Sequence, residues 1–149
     1  MYFWIENGII DGKAELYQPD VFTDDRFQVE VSGEIYNDYE PNKYVYLGGE
    51  VVINPNWEEI QKQKEEERIN NLTMTPLDFI GVLVGAGLTL EQINAFLESN
   101  LNIKMQLTYC SNVYCGVVKQ FLPMTVNGIT ITAEMVETAF RIKNGEGVA

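Results

Sequence analysis

The side chains best equipped for chemistry in this 149-residue chain are carboxylates and phenols. Asp20, Asp24 and Asp25 fall in one stretch, and Asp38 and Glu40 in another. Paired carboxylates can work as an acid and a base or hold Ca²⁺. Neither stretch has the dense alternation of acids that a helix–loop–helix Ca²⁺ site needs, and acids in loops are ordinarily solvated. The chain has no histidine. That removes Ser-His and Cys-His nucleophiles and imidazole metal ligands together. Cys110 and Cys115 stand five apart. Zinc normally takes four ligands, so the two are read as reduced thiols serving as small buried hydrophobes. Gly81, Gly85 and Gly87 are followed by no Lys-Ser or Lys-Thr, so no phosphate loop is present. What remains is the chemistry of surfaces. Tyr2, Tyr17, Tyr36, Tyr39, Tyr44 and Tyr46 crowd into the first 54 residues. Tyrosine beside Asn and Asp stacks on sugars or seats a protein partner. The expected partner-binding residues are Tyr36, Asp38, Tyr39, Tyr44, Tyr46 and Trp57. No catalytic residue, metal ligand or cofactor is expected.

Composition narrows the classes further. Apolar residues make up 46% and charged residues 21%, which suits a globular chain rather than a disordered one. Acids outnumber bases 22 to 10, for a net charge of −12. Phosphate backbones are bound by clustered Lys and Arg, so no nucleic-acid partner is expected. The stretch Leu88 to Ile93 resembles the start of a recognition helix, yet no Lys or Arg occurs between Arg68 and Lys104. No apolar run approaches the roughly 18 residues of a membrane span, and no membrane insertion is expected. Glu6 interrupts the apolar opening Met1 to Ile5, so no export signal is read there.

These side chains must be positioned by elements that the sequence marks locally. Residues 1–54 hold eleven acids and three bases, net −8, and residues 55–149 eleven acids and seven bases, net −4. The aromatic first segment reads as β. Asn7-Gly8 predicts a hairpin between residues 2–6 and 9–10. Phe27, Val29 and Val31 alternate with Gln28, Glu30 and Ser32, a half-buried strand pattern. Ser32-Gly33 reads as a turn or bulge before a strand at residues 34–36, and residues 38–42 as a loop. Residues 44–47 and 50–53 flank Gly48-Gly49 as two more strands. Together they predict one antiparallel sheet of four to six strands. About 54 such residues bury little surface, so this lobe is expected to lean on the second half or on another chain.

Asn56 with Glu59 starts a helix whose residues 61–68 include no apolar side chain. It reads as a solvated connector over residues 55–74. Thr75-Pro76 with Asp78 opens the next helix. Its apolar residues run almost all round, which predicts a buried helix, and Gly81 with Gly85 predicts close approach of another. Gly87 ends it. Thr89 with Gln92 caps a helix ending near Asn100. Residues 101–122 fit strand and helix spacings alike, and a helix to about Tyr114 is taken. Asn127-Gly128 predicts a hairpin over 124–132. Thr132 caps a last helix with Val136, Phe140 and Ile142 or Met135 inward, ended by Asn144-Gly145. The fold class is therefore α+β: an antiparallel β lobe at 1–54, a polar connecting helix at 55–74, and a helical lobe with a hairpin at 75–149.

The run Asn54-Pro55-Asn56-Trp57-Glu58-Glu59-Ile60, the charged Glu65-Glu66-Glu67-Arg68-Ile69, and Leu72-Thr73-Met74-Thr75-Pro76-Leu77-Asp78-Phe79 resemble small proteins encoded in tail modules of Firmicutes phages and prophages. The segment from Ile131-Thr132 to Phe140 is similar as well. Where those proteins often carry an arginine and an Asn-Pro pair near the third helix, Cys115-Gly116-Val117 stands here. The resemblance implies a non-enzymatic structural component or assembly helper, working in the host cytoplasm or in the virion. The expected partner is a larger tail protein or a second copy of the chain, because the thin aromatic β lobe is short of its own core. From the residues alone, two other classes stay open: a carbohydrate-binding module using the loop Tyr36 to Glu40, and an enzyme using paired carboxylates.

Overall fold

The computed structural model describes residues 1–126 and 128–147. Asn7 and Gly8 take φ values of 52° and 78°, as a two-residue type I′ turn requires. They fold β1 (Tyr2–Glu6) onto β2 (Ile9–Ala14), and β3 (Arg26–Glu30) pairs with the other edge of β1. Phe3 lies opposite Val29 and Ile5 opposite Phe27, so these four share one face. Phe3 and Ile5 are fully buried.

The other face corrects the strand pattern. Gln28 is the buried residue of β3, while Phe27 and Val29 are only half-buried. The chain before β3 folds back over that face and needs a polar anchor there. Gln18 donates its backbone N–H to Gln28 Oε1 at 2.6 Å, and Gln28 Nε2 donates to the Leu16 carbonyl at 3.0 Å. Both ends of the amide are satisfied, so its burial carries no desolvation penalty left unmet. Phe22 packs edge-on to Trp4, and Tyr17 edge-on to Phe22.

The strand expected at residues 34–36 is instead α1 (Gly33–Asn37). Ser32 Oγ accepts the N–H of Ile35 at 3.3 Å, and this cap outweighs the β preference of Ile35 and Tyr36. Gly48 and Gly49 have φ of 61° and 96° and join β4 (Tyr44–Leu47) to β5 (Glu50–Ile53). The single sheet expected is therefore two: a three-stranded one in the order β2-β1-β3 and a separate pair β4-β5.

The chain divides into two compact units, Met1–Lys62 and Gln63–Ala149. The boundary falls inside α2 (Trp57–Asn70), whose residues 61–68 are all exposed, as their lack of apolar side chains predicts. Three of the following helices begin where a threonine offers its hydroxyl. Thr75 caps α3 (Pro76–Gly85), Thr89 caps α4 (Leu90–Ser99) in a full capping box with Gln92, and Thr132 caps α7 (Ala133–Lys143). α3 closes in a Schellman motif. Gly87 at φ 96° lets the Leu88 N–H reach the Leu83 carbonyl at 3.2 Å and the Gly87 N–H reach Val84 at 2.9 Å. β8 (Met124–Val126) and β9 (Ile129–Ile131) form the second hairpin. Gly128 there has φ 82°, while Asn127 lies outside the described residues. The core of this unit gathers Phe79, Leu83, Phe96, Ile103, Val113 and Phe140. No single helix among the described residues is long and apolar enough to cross a membrane.

Four expectations for this half are corrected. The helix expected to reach Tyr114 ends earlier, as α5 (Leu101–Tyr109). β7 (Val113–Tyr114) pairs with β6 (Thr73–Met74), and the Cys115 N–H bonds the Leu72 carbonyl at 2.9 Å before α6 (Cys115–Lys119). A backbone partner forty residues away overrides the local helical spacing. α3 buries one face only: Phe79 and Leu83 are inside, whereas Leu77 and Val84 are exposed. No atom lies within 4 Å of where a Cβ on Gly81 or Gly85 would stand, so no helix approaches there. The close approach is at Gly116, where a Cβ would meet Asn70 Cβ at 2.9 Å and the Asn70 carbonyl at 3.1 Å. In α7, Val136 and Phe140 point inward as expected, but Met135 and Ile142 are exposed.

Charge closes the second unit. Glu65 on α2 takes a two-pronged grip from Arg68, Nε at 2.7 Å and Nη2 at 2.8 Å, and a third bond from Arg141 on α7 at 3.1 Å. Glu146 bridges the same two arginines, and Lys143 reaches Asp78 on α3 at 2.7 Å. The Arg68 bonds hold the Glu65 carboxyl down to about 2, and Arg68 and Arg141 hold Glu146 below its usual range.

Two outcomes follow. Gly116→Ala is expected to cost about 1–3 kcal/mol through overpacking against Asn70, read by denaturant unfolding. Because Glu65 titrates lower in the folded chain than its ordinary 4.5, its contribution is present above that value and vanishes as pH falls toward about 2. The Tm gap between the native chain and Arg68→Ala should therefore close across that window, and a gap independent of pH would contradict the network.

Candidate interaction site

The aromatic residues of the first unit are organised by Phe3. Its ring lies 4.9 Å from Tyr39, 6.1 Å from Tyr36 and 6.5 Å from Tyr44, between centroids. β1 delivers Phe3, α1 delivers Tyr36, the turn after α1 delivers Tyr39, and β4 delivers Tyr44. Asp38, at the C-cap of α1, locks this arrangement. It accepts from Lys43 Nζ at 2.8 Å and from the Tyr44 hydroxyl at 2.5 Å. The Lys43 bond, reinforced by Tyr44, keeps the Asp38 carboxyl below its usual range. The bond to Asp38, with burial, pushes Tyr44 up to about 12.

Cations sit on rings throughout this unit. Lys13 Nζ stands 4.6 Å over Tyr36 and 5.5 Å over Tyr39. Lys43 stands 6.0 Å over Tyr44 and 5.9 Å over Trp57. Arg26 covers Trp4 at 4.9 Å and pairs with Asp11 at 3.6 Å. These are the three basic residues of the first 54, so each is engaged by an aromatic face.

The structure thus brings Tyr36, Asp38, Tyr39 and Tyr44 together and links Trp57 to them through Lys43. Tyr46 stands apart, edge-on to Phe27 at 5.5 Å. Tyr44 is buried, and Tyr36, Tyr39, Tyr46 and Trp57 are half-buried. Sequence reasoning missed the hub Phe3 and the ring-capping Lys13 and Lys43; the scarcity of bases among so many aromatics was the available signal. It also missed three open apolar side chains gathered on one loop of this unit. Leu16, Tyr17 and Val21 are 71, 54 and 55% exposed, in a loop rimmed by the exposed Asp20, Asp24 and Asp25. Among the described residues no three Cys, Asp or Glu converge as a metal site. Of the two cysteines expected inside, only Cys115 is buried, its thiol pushed up to about 11 by that burial. Cys110 is exposed because α5 ends just before it, at the surface.

No family model, curated protein or solved structure matches this chain. The displaced titrations share one direction. Tyr44 and Cys115 move up, and Asp38, Glu65, Asp78 and Glu146 move down, each away from neutrality. A general acid or base gains from the opposite displacement.

Asp38→Asn is expected to bring the Tyr44 phenol down from about 12 toward its ordinary 10, followed by NMR titration of ring-labelled tyrosine. A Tyr44 titration unmoved by that substitution would show that burial alone sets it.

Proposed function

We propose that this chain is a non-enzymatic protein of a phage tail module, a structural component or assembly helper that works through protein–protein contacts. The observation that carries this reading is the loop between β2 and β3. It presents Leu16, Tyr17 and Val21 to solvent in the same loop as the exposed Asp20, Asp24 and Asp25, on a unit whose three cations up to residue 54 are all held on rings. Open apolar and aromatic side chains gathered on one loop are the anchors that protein contacts use. The unneutralised carboxylates around them favour a partner surface bearing Lys or Arg. The resemblance of residues 54–143 to tail-module proteins supplies the setting, and a larger tail protein is the expected partner.

The same geometry weighs against sugar binding by the loop Tyr36 to Glu40. Lys13 covers the faces of Tyr36 and Tyr39 on which a sugar ring would stack. The displacement of titrating groups away from neutrality supports a role without acid–base catalysis.

Tagged chain is expected to co-purify with a larger tail protein from infected lysate, and Leu16→Ser with Val21→Ser, both exposed side chains, should abolish that capture without shifting Tm. Mass spectrometry of purified virions separates component from helper. Glycan-array binding lost on Tyr39→Ala would overturn the reading in favour of a carbohydrate-binding module.

A further inference from the structure

α5 is apolar on two sides. Ile103 and Leu107 pack into the core of the second unit. Leu101, Met105 and Tyr109, spaced four apart, are 65, 50 and 80% exposed. With Lys104 and Thr108 they line a groove of about 390 Å³. Side chains at i, i+4 and i+8 make one stripe along a helix, and a stripe this open marks a contact surface.

Charge says what covers it. Between Glu98 and Glu134 there is no carboxylate over 35 consecutive residues, although the remaining 114 hold all 22. The two lysines in that run are neutralised by the acids flanking it. Lys104 Nζ lies 2.5 Å from Glu98, and Lys119 pairs with Glu137. The stripe thus carries no net charge within a chain of net charge −12, its one lysine being paired with Glu98 at its edge. It offers no surplus of either sign to draw a strongly basic or strongly acidic partner. Two copies of this chain repel one another over most of their surfaces, and the repulsion is least where this run lies.

We propose that α5 is a self-association face, on which a second copy of this chain lays its own α5 antiparallel across a two-fold axis near Met105. A two-fold contact needs a patch that complements only itself. Met105 meets Met105 of the other copy, a pairing the flexible thioether tolerates, and Leu101 meets Tyr109. Cores of protein contacts are rich in Met and aromatics and poor in charge, which is the composition of this stripe. A nine-residue helix buries little area, so the dimer is weak and concentration-dependent. The contact does not depend on the tail-module reading and stands or falls separately from it.

Sedimentation of the full chain is expected to show a monomer–dimer equilibrium. It should tighten as salt rises from about 0.05 to about 0.5 M, because screening removes the repulsion and leaves the apolar contact. Met105→Glu and Tyr109→Glu should each weaken the dimer roughly tenfold or more while leaving Tm unchanged, since both positions are exposed. In a Cys110→Ser background, Met105→Cys should form a disulfide-linked dimer under an added mild oxidant, whereas Leu77→Cys on α3 should not. A chain monomeric at every concentration and salt, or a dimer indifferent to both glutamate variants, would overturn the proposal.

Discussion

Ten cations must serve a chain with twenty-two carboxylates, and the fold is arranged around that shortage. Up to residue 54 the available cations are placed on aromatic rings: Lys13 on Tyr36 and Tyr39, Arg26 on Trp4, Lys43 on Tyr44 and Trp57. In the second they are placed between elements, where Arg68 and Arg141 share Glu65 and Glu146, and Lys143 holds Asp78. One cation placed on a ring, or between two acids, fixes two or three side chains at once. The remaining carboxylates face water, which gives the surface its strongly negative character.

The two units solve the problem of a small core differently. The first has few aliphatic residues at its centre and relies on rings gathered about Phe3, stiffened by the Asp38, Lys43 and Tyr44 bonds. The second uses short helices, three of which start at a threonine cap, that turn an apolar face inward; α3 and α7 meet at Phe79 and Phe140. Short helices gain little from propensity alone. Their caps and their shared core make them stable, and Gly116 permits α6 to lie against Asn70 where any side chain would collide.

A consequence is that chemistry and surface are divided. Asp38, Tyr44, Glu65, Asp78 and Glu146, which titrate unusually, are tied into bonds that hold structure, while Cys115 is displaced by burial. Among the apolar side chains left open, Leu16, Tyr17 and Val21 share one loop and Leu101, Met105 and Tyr109 share one stripe of α5. The loop also carries Asp20, Asp24 and Asp25, and the stripe has the ion pair of Lys104 with Glu98 at its edge.

The sequence by itself determined what is local. Hairpins at Asn7-Gly8 and Gly48-Gly49 follow from backbone signs that those residues adopt without strain, and the helix starts at Thr75, Thr89 and Thr132 follow from a hydroxyl three residues before an unpaired N–H. The α+β class and the solvated helix of residues 61–68 follow from composition. Only the tertiary structure decided what depends on distant partners. Gln28 is buried because Leu16 and Gln18 fold onto it, α5 stops at Tyr109 because β7 pairs with β6, and Tyr36 and Tyr39 gather because Phe3 lies beneath them. Spacing within one segment carries no information about which other segment will supply a hydrogen bond or a ring, and those contacts set both the site and the surfaces left open.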